Sequence, residues 1–324
     1  MSYEAVFVAV LLGVSWLVLL VADTAAAGLW SLLAGGSFKR IWLCGLWSLL
    51  LPVLLLAYGS LLERNMFRVK QVTLSFDQLP AAFDGYRLVQ LSDIHARSFM
   101  RRTRAMRRAV NKVNGLNPDL IVFTGDLVTL APDELEPIAA ELSRLHAPDG
   151  VLSILGNHDY CTYRRPSEDG TRTGGRRELV AAERSMGWTM LLNENRLIGR
   201  GADTLAVVGV ENISGSRHFP STGDLAKAQS GTDGFFRILL SHDPSHWDRE
   251  AREKGIPLML SGHTHSAQFS LFGLSPSRLL FKQYRGLYEQ QGQYLYVNVG
   301  LGETIFPARI GAMPEITLIT LKKK

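Results

Sequence analysis

Cysteine is nearly missing from this chain. Its two thiols, Cys44 and Cys161, fall in an apolar run and in a polar loop, so no disulfide framework is expected and no oxidising compartment is needed. Scarce thiolate also excludes a structural zinc knot. There is no long basic tract and no RNA- or DNA-binding signature. A net charge of +5 and a pI near 9.2 are too mild by themselves to imply a nucleic-acid partner. Repeats and low-complexity segments are absent as well.

Charge is missing where it matters most. No residue from Ala5 to Ala22 is charged, and none from Ile41 to Leu62. The second run, "IWLCGLWSLLLPVLLLAYGSLL", is long enough to span a bilayer and can accommodate Pro52. The start "MSYE" has no basic n-region, and a second apolar run follows at once, which argues against a cleaved signal peptide. The expectation is a transmembrane helical hairpin over residues 1–68, with a second domain over 69–324. Lys39 and Arg40 lie between the runs, whereas Arg64, Arg68 and Lys70 follow the second, with Arg101–Arg108 nearby. The positive-inside rule then puts both termini, and the second domain, on the cytoplasmic face.

After Arg68 short apolar strands alternate with amphipathic stretches. Expected strands are Val72–Phe76, Tyr86–Leu91, Asp119–Thr124, Gly150–Leu155, Thr204–Val210, Phe236–Ser241, Pro257–Ser261, Tyr294–Val299 and Glu315–Leu321. Expected helices include Phe99–Val113, with Arg101, Arg104 and Arg108 opposite an apolar face, and Asp133–Leu145. This alternation predicts a layered α/β domain.

Five of these strands end in polar groups drawn from Asp, Asn and His. They are Asp93-Ile94-His95, Gly125-Asp126, Gly156-Asn157-His158-Asp159, His242-Asp243 and Gly262-His263-Thr264-His265. Strand ends are where layered α/β sheets build sites. Carboxylate, amide and imidazole suit Mn, Fe, Zn or Mg. A shared carboxylate can hold two ions that bind phosphate and supply hydroxide at neutral pH. Asp-x-His or Gly-Asp alone is usually a strand-ending turn. Gly-Asn-His-Asp is harder to dismiss, because consecutive polar residues after "VLSIL" are costly to bury without partners.

In that order and placement the set resembles the calcineurin-like metallophosphoesterases, and most nearly their bacterial membrane-associated branch. The match runs from about residue 70 to the end and includes "YVNVGLGETIFPARIGAMPEITLITL". The resemblance implies a four-layer α/β/β/α sandwich of two mixed sheets flanked by helices. It implies two divalent ions, manganese first among the candidates. Asp93, His95, Asp126 and His265 would hold one ion. Asp126, Asn157, His242 and His263 would hold the other, with Asp126 bridging. His158 would reach the phosphate or protonate the leaving oxygen, oriented by Asp159. Ser266-Ala267 stand where the branch often has Gly-Gly.

Other polar residues have plainer expected roles. His146, His218 and His246 read as surface or helix-end histidines. The arginine face reads as solvated, with lipid headgroups or substrate phosphate as alternatives. Loop 161–178 reads as a surface loop, with a substrate lid as the alternative. Arg309 is either a substrate contact or half of a salt bridge, and Gly262 gives room to turn. The expected function is hydrolysis of phosphodiester or pyrophosphate bonds in a membrane-associated substrate, at a bacterial inner membrane. Partners are a phosphoester or pyrophosphate substrate, with a lipid-linked one as an alternative, and membrane lipids. UDP-2,3-diacylglucosamine pyrophosphohydrolase activity of lipid A synthesis is the specific alternative. A non-catalytic metal-binding scaffold would be expected to have lost ligands, and none is missing. A transporter would need charge within the spans, and neither run carries any.

Overall fold

The computed structural model describes residues 3–163, 175–214, 219–304 and 306–324. Three helices open the chain: α1 (Tyr3–Leu33), α2 (Phe38–Gly45) and α3 (Leu50–Leu61). A 3₁₀ turn over Leu46–Leu49 joins α2 to α3, just ahead of Pro52, whose missing N–H fits the first turn of α3. Two helical stretches, Ala5–Leu33 and Phe38–Asn65, are long and apolar enough to cross a membrane.

The first helix does not end with its uncharged run. It continues through Asp23, whose carboxylate accepts from the Ser48 hydroxyl at 2.5 Å. Trp42 Nε1 donates to the neighbouring Thr24 hydroxyl at 3.0 Å. Lys39 and Arg40 lie on α2, so this end of the hairpin is its polar boundary. Past its uncharged run the helix therefore carries one charge, Asp23, and that charge has a partner.

Among the described residues twelve strands form two mixed sheets of six. They are β1 (Arg68–Phe76), β2 (Arg87–Leu91), β3 (Leu120–Phe123), β4 (Val151–Ser153), β5 (Thr189–Met190), β6 (Glu194–Arg200), β7 (Asp203–Gly209), β8 (Phe236–Leu240), β9 (Leu258–Ser261), β10 (Gly286–Gln290), β11 (Gln293–Val297) and β12 (Glu315–Lys323). The orders are β1-β12-β2-β3-β4-β5 and β10-β11-β9-β8-β7-β6. The central strands β2, β3 and β4 run parallel, as do β7, β8 and β9, so their C-terminal ends gather on one side. Helices α4 (Thr103–Asn114), α5 (Ala139–Leu142), α6 (Gly175–Ser185) and α7 (Leu225–Ala228) complete the chain.

Side-chain alternation builds the layers. Leu120 and Val122 of β3 face Ile238 and Leu240 of β8 in a core between the sheets. Ile121 and Phe123 point the other way, against Met106, Val110 and Val113 of α4. Leu239 and Met259 pack on Leu225, Trp247 and Ala251 behind the second sheet. The result is the expected α/β/β/α order.

Several boundaries moved. Helix α4 begins at Thr103, after a 3₁₀ turn over Ala96–Phe99. The stretch expected as a helix from Asp133 to Leu145 is a 3₁₀ turn over Pro132–Leu135 followed by α5. Residues 175–178 of the expected loop open α6, and most of the remainder, 164–174, lies outside the described residues, as does His218. His246 is buried rather than on the surface: its Nδ1 lies 2.9 Å from the Ser241 hydroxyl and its Nε2 3.1 Å from Glu250.

Glu183 of α6 is fully buried and accepts from the Ser153 hydroxyl at 2.5 Å. Burial, then the charge of Asp159, push its carboxyl well above the ordinary range. The folded state therefore holds this proton more tightly than the unfolded chain. Stability from this group is complete below the unfolded pKa and is lost as pH rises toward the folded one. Glu183→Gln keeps the shape of the protonated acid. Its Tm is expected to match wild type near pH 5 and to exceed it increasingly toward pH 8. A constant difference across that range in thermal unfolding scans would refute this account.

Candidate metal centre

The strand ends after β2, β3 and β9 deliver their polar groups by leaving the sheet in left-handed turns. Asp93, Asp126, His95, His263 and His265 all have positive φ, between 43° and 73°. Non-glycine residues rarely tolerate that region, and such strain concentrates at functional sites. The turns interlock. The backbone N–H groups of Asp93 and His95 donate to the carbonyls of Gly125 and Asp126 at 2.9 and 3.1 Å. His263 N–H donates to both Asp93 carboxylate oxygens at 3.1 Å. Gly262 serves approach rather than turning: a Cβ there would meet the Ser92 hydroxyl and the Asp93 carboxylate. Its φ is not positive, which corrects the expectation that it eases a turn.

Two donor groups result, Asp93 with His95 and His265, and Asp126 with His242 and His263. In the first, His265 Nε2 lies 3.0 Å from His95 Nε2 and 3.2 Å from Asp93 Oδ1. In the second, His242 Nε2 lies 3.1 Å from Asp126 Oδ2, 3.2 Å from His263 Nδ1 and 3.2 Å from Asn157 Oδ1. Asp126 Oδ2 also lies 3.6 Å from His95 Nε2, so one carboxylate oxygen faces both groups. All seven expected ligand residues are thus brought together.

The donor chemistry fits divalent cations. His242 Nδ1 donates to the Thr124 carbonyl at 2.8 Å, which leaves Nε2 as the atom facing Asp126. Burial opposes a charge on His242, but the Asp126 carboxylate raises the imidazole to about 10. A proton therefore sits where a cation's charge would do the same work. Burial, then neighbouring imidazoles, hold His95 and His263 below their ordinary values and so neutral, the form that ligates metal. Burial also opposes ionisation of Asp93, yet the adjacent His265 holds its carboxyl below the usual range. Paired ring nitrogens 3.0 and 3.2 Å apart, backed by carboxylates, form an N/O set for two borderline ions.

His158 stands at the edge of this cluster, its N–H donating to Asp126 Oδ1 at 2.8 Å and its ring 4.9 Å from that of His95. Asp159 does not orient it. The Asp159 carboxylate turns inward and accepts from the backbone N–H groups of Asp126, Leu127, Val128 and Gly156 at 2.7 to 3.2 Å. Burial, then the Asp126 charge, push this carboxyl up to about 7. It shapes the turn that presents Asp126. His158 Nδ1 is held instead by the Thr129 carbonyl at 2.8 Å.

Sequence reasoning missed Thr129 and Tyr163. Tyr163 stacks on His158 at 4.4 Å, and its hydroxyl accepts from Asn157 Nδ2 at 3.0 Å. Phe219 and Phe281 set their edges against His263 at 5.7 and 5.5 Å. No motif marks these residues. Arg309 is neither a substrate contact nor half of a salt bridge. It is fully buried, and its guanidinium donates to the carbonyls of Val299, Gly302 and Ala312. The segment it braces approaches Asp93, whose carbonyl accepts from Gly302 N–H at 2.8 Å.

The segment after His265 is strained. Ser266, Ala267 and Gln268 follow it with φ of 51°, 51° and 56°. That run explains why glycine is common at the first two positions in the branch this sequence resembles. Side chains here carry a conformational cost that glycine would not.

The relatives agree with this geometry. Residues 86–267 match the family model described as calcineurin-like phosphoesterase. The Bacillus subtilis metallophosphoesterase YkuE is 32% identical over 82% of this chain and 89% of its own length. A zebrafish transmembrane protein with metallophosphoesterase domain is 33% identical over 90% of this chain, which spans 64% of that longer protein. The UDP-2,3-diacylglucosamine pyrophosphatase LpxG of Chlamydia trachomatis is 27% identical over 78% of this chain and 88% of its own length. With the family model covering more than half of its length, the chain belongs to the calcineurin-like phosphoesterases and is a metal-dependent phosphoric ester hydrolase.

Proposed function

We propose that this protein uses two divalent ions to hydrolyse a phosphodiester or pyrophosphate bond in a lipid-linked substrate, at the cytoplasmic face of the membrane its hairpin crosses. The reading rests on one observation above all, the single oxygen of Asp126 shared by two donor groups. Asp93, His95, Asp126 and His265 hold the first ion, and Asp126, Asn157, His242 and His263 the second. The ions, manganese first among the candidates, supply Lewis acidity toward phosphoryl oxygens and hydroxide at neutral pH.

The chain's own residues do the rest. The Thr129 carbonyl keeps the His158 proton on Nδ1 in the resting enzyme, so Nε2 faces the site. Protonated at Nε2, His158 donates to the departing oxygen. Tyr163 packs on His158, and Phe219 and Phe281 pack on His263. Residues 1–68 anchor and 69–324 catalyse. Arg64, Arg68, Lys70 and the exposed Arg101, Arg104 and Arg108 lie on the catalytic side of the hairpin, which favours the cytoplasm. The likeness to a protein named for UDP-2,3-diacylglucosamine pyrophosphatase activity supports a lipid-linked pyrophosphate as the natural substrate.

The test is a panel of monoesters, diesters and nucleotide pyrophosphates, UDP-2,3-diacylglucosamine among them, run on the detergent-solubilised enzyme with Mn²⁺. Turnover of diesters or pyrophosphates, lost on chelation, is expected. No turnover with two ions bound per chain would overturn the reading. His158→Ala should slow substrates with alkyl leaving groups by roughly 10²–10⁴-fold, while p-nitrophenolate, which needs no proton, loses less than about tenfold. Equal losses on both would remove His158 from the acid role.

A further inference from the structure

We propose that the apolar loop from Leu271 to Leu280 lies in the same leaflet as the near half of the hairpin. The groove between loop and hairpin holds an acyl chain of a bilayer lipid and brings that lipid's phosphoester to the metal centre. This deepens the reading above and rests on its membrane placement.

The loop leaves the site directly, six residues beyond His265. It exposes four large apolar side chains: Phe272 is 95% exposed, Leu279 88%, Leu280 81% and Leu274 61%. Scattered exposed hydrophobics are ordinary, but a contiguous patch of large ones marks an interaction surface. From Ser266 to Arg285 there is no acidic residue; Arg278 lies within the loop, Arg285 follows it, and Lys282 pairs with Asp248 at 2.7 Å. Arg285 stiffens the loop by donating to the Ser270 hydroxyl and the Gly273 carbonyl, each at 2.9 Å. Apolar tip, cationic shoulders and no acid make the composition that settles on anionic lipid.

Position along the hairpin gives the depth. A groove of about 490 Å³ separates α1 and α3 from the catalytic domain, with Phe7, Ser15 and Leu51 on the hairpin side. Ala267, Phe269 and Pro276 line the facing side. The uncharged run Ala5–Ala22 rises about 27 Å at ~1.5 Å per residue, close to the ~30 Å hydrocarbon core. Asp23, Thr24 and Trp42 mark its far boundary. The groove therefore follows the helices from the near surface to about mid-bilayer. Its lining is overwhelmingly apolar, and in a membrane it opens onto lipid tails rather than water. At its inner end Ala267 follows His265 by two residues, and beyond the loop Phe281 packs on His263. A tail in the groove and a head at the donor groups are thus within reach of one molecule.

The experiment uses the full chain in vesicles of phosphatidylethanolamine and phosphatidylglycerol. Phe272→p-benzoylphenylalanine is irradiated, with Leu54→p-benzoylphenylalanine, exposed on α3, as the reference. A one-phospholipid adduct is expected at both positions. Reference adduct without adduct at Phe272, or an adduct at Phe272 to a second copy of the chain, would overturn the proposal. Leu279→Ser with Leu280→Ser supplies a second readout. Hydrolysis of vesicle-borne dioleoylphosphatidyl-p-nitrophenol is expected to fall at least about tenfold, while soluble bis-p-nitrophenyl phosphate, with the same leaving group, is unaffected. Equal change on both substrates would count against a lipid-specific surface. If neither probe is turned over by wild type, the reading of activity fails, and the adduct at Phe272 still decides this proposal.

Discussion

Asp126→Ala is expected to lower kcat/KM by on the order of 10⁴-fold, about 5.5 kcal/mol of transition-state stabilisation, and to leave fewer than two bound ions per chain. One Asp126 oxygen faces both donor groups. Asp126 Oδ2 is 3.1 Å from His242 Nε2 and 3.6 Å from His95 Nε2, while Oδ1 accepts the His158 N–H. On the proposed reading, truncation would remove a ligand from each ion and loosen His158 together. Asp126→Asn keeps the volume and loses the charge, so it should bind metal weakly and remain folded. Metal analysis by mass spectrometry, paired with circular dichroism, separates loss of ions from loss of fold. Two ions per folded Asp126→Ala chain, or turnover within tenfold of wild type, would refute the shared-ligand role.

Arg309→Leu should cost about 4 kcal/mol and drop Tm by on the order of 10 °C. Three buried carbonyls, of Val299, Gly302 and Ala312, would lose their donor, at ~1–3 kcal/mol each. Burial lowers the guanidinium to about 10, so it remains a cation at neutral pH. Its partners are backbone carbonyls and, at 3.4 Å, the His265 ring nitrogen Nδ1, which makes it a brace for the loop against Asp93 and for His265 rather than a ligand for phosphate. Arg309→Lys should recover little, because an ammonium cannot fork to several carbonyls. The same strand segment also meets the anchor: Arg309 N–H donates to the Gly59 carbonyl at 3.3 Å, and Arg64 donates to the Pro307 carbonyl at 2.8 Å. Loss of the brace should therefore loosen the hairpin's seat as well as the site. A Tm within about 2 °C of wild type for Arg309→Leu would refute the bracing role.

The ligand-bearing strands were legible because each is an apolar run stopped abruptly by polar residues, and burial on both faces forces that pattern. β5, β6 and β10 were not legible. They are sheet-edge strands, and segments such as "ENRLIGR" mix charge and apolar residues as a half-exposed edge permits. Donor identity could be read from residue type and order, but orientation could not. Asp159 adjoins His158 in sequence, yet its carboxylate points back to the turn at 126–128. The partner that does hold His158 is a backbone carbonyl, and every residue has one. Arg309 acts through backbone carbonyls, which every residue has, and Tyr163 through packing on the His158 ring, and neither leaves a spacing to read.

The seam between the sheets passes through the donor groups. Asp93 and His95 leave β2 in one sheet and His265 leaves β9 in the other. Asp126 leaves β3, while His242 and His263 leave β8 and β9. His95 and His265 are 170 residues apart in the chain. An ion held between them closes a loop of that length, as a covalent cross-link would, but reversibly. With ions bound, the fold would be fastened at its catalytic end by something the chain does not encode. Its unfolding temperature should climb with the logarithm of free metal once the sites are filled. A cell short of the metal would then lose the protein to unfolding and proteolysis as well as losing its activity.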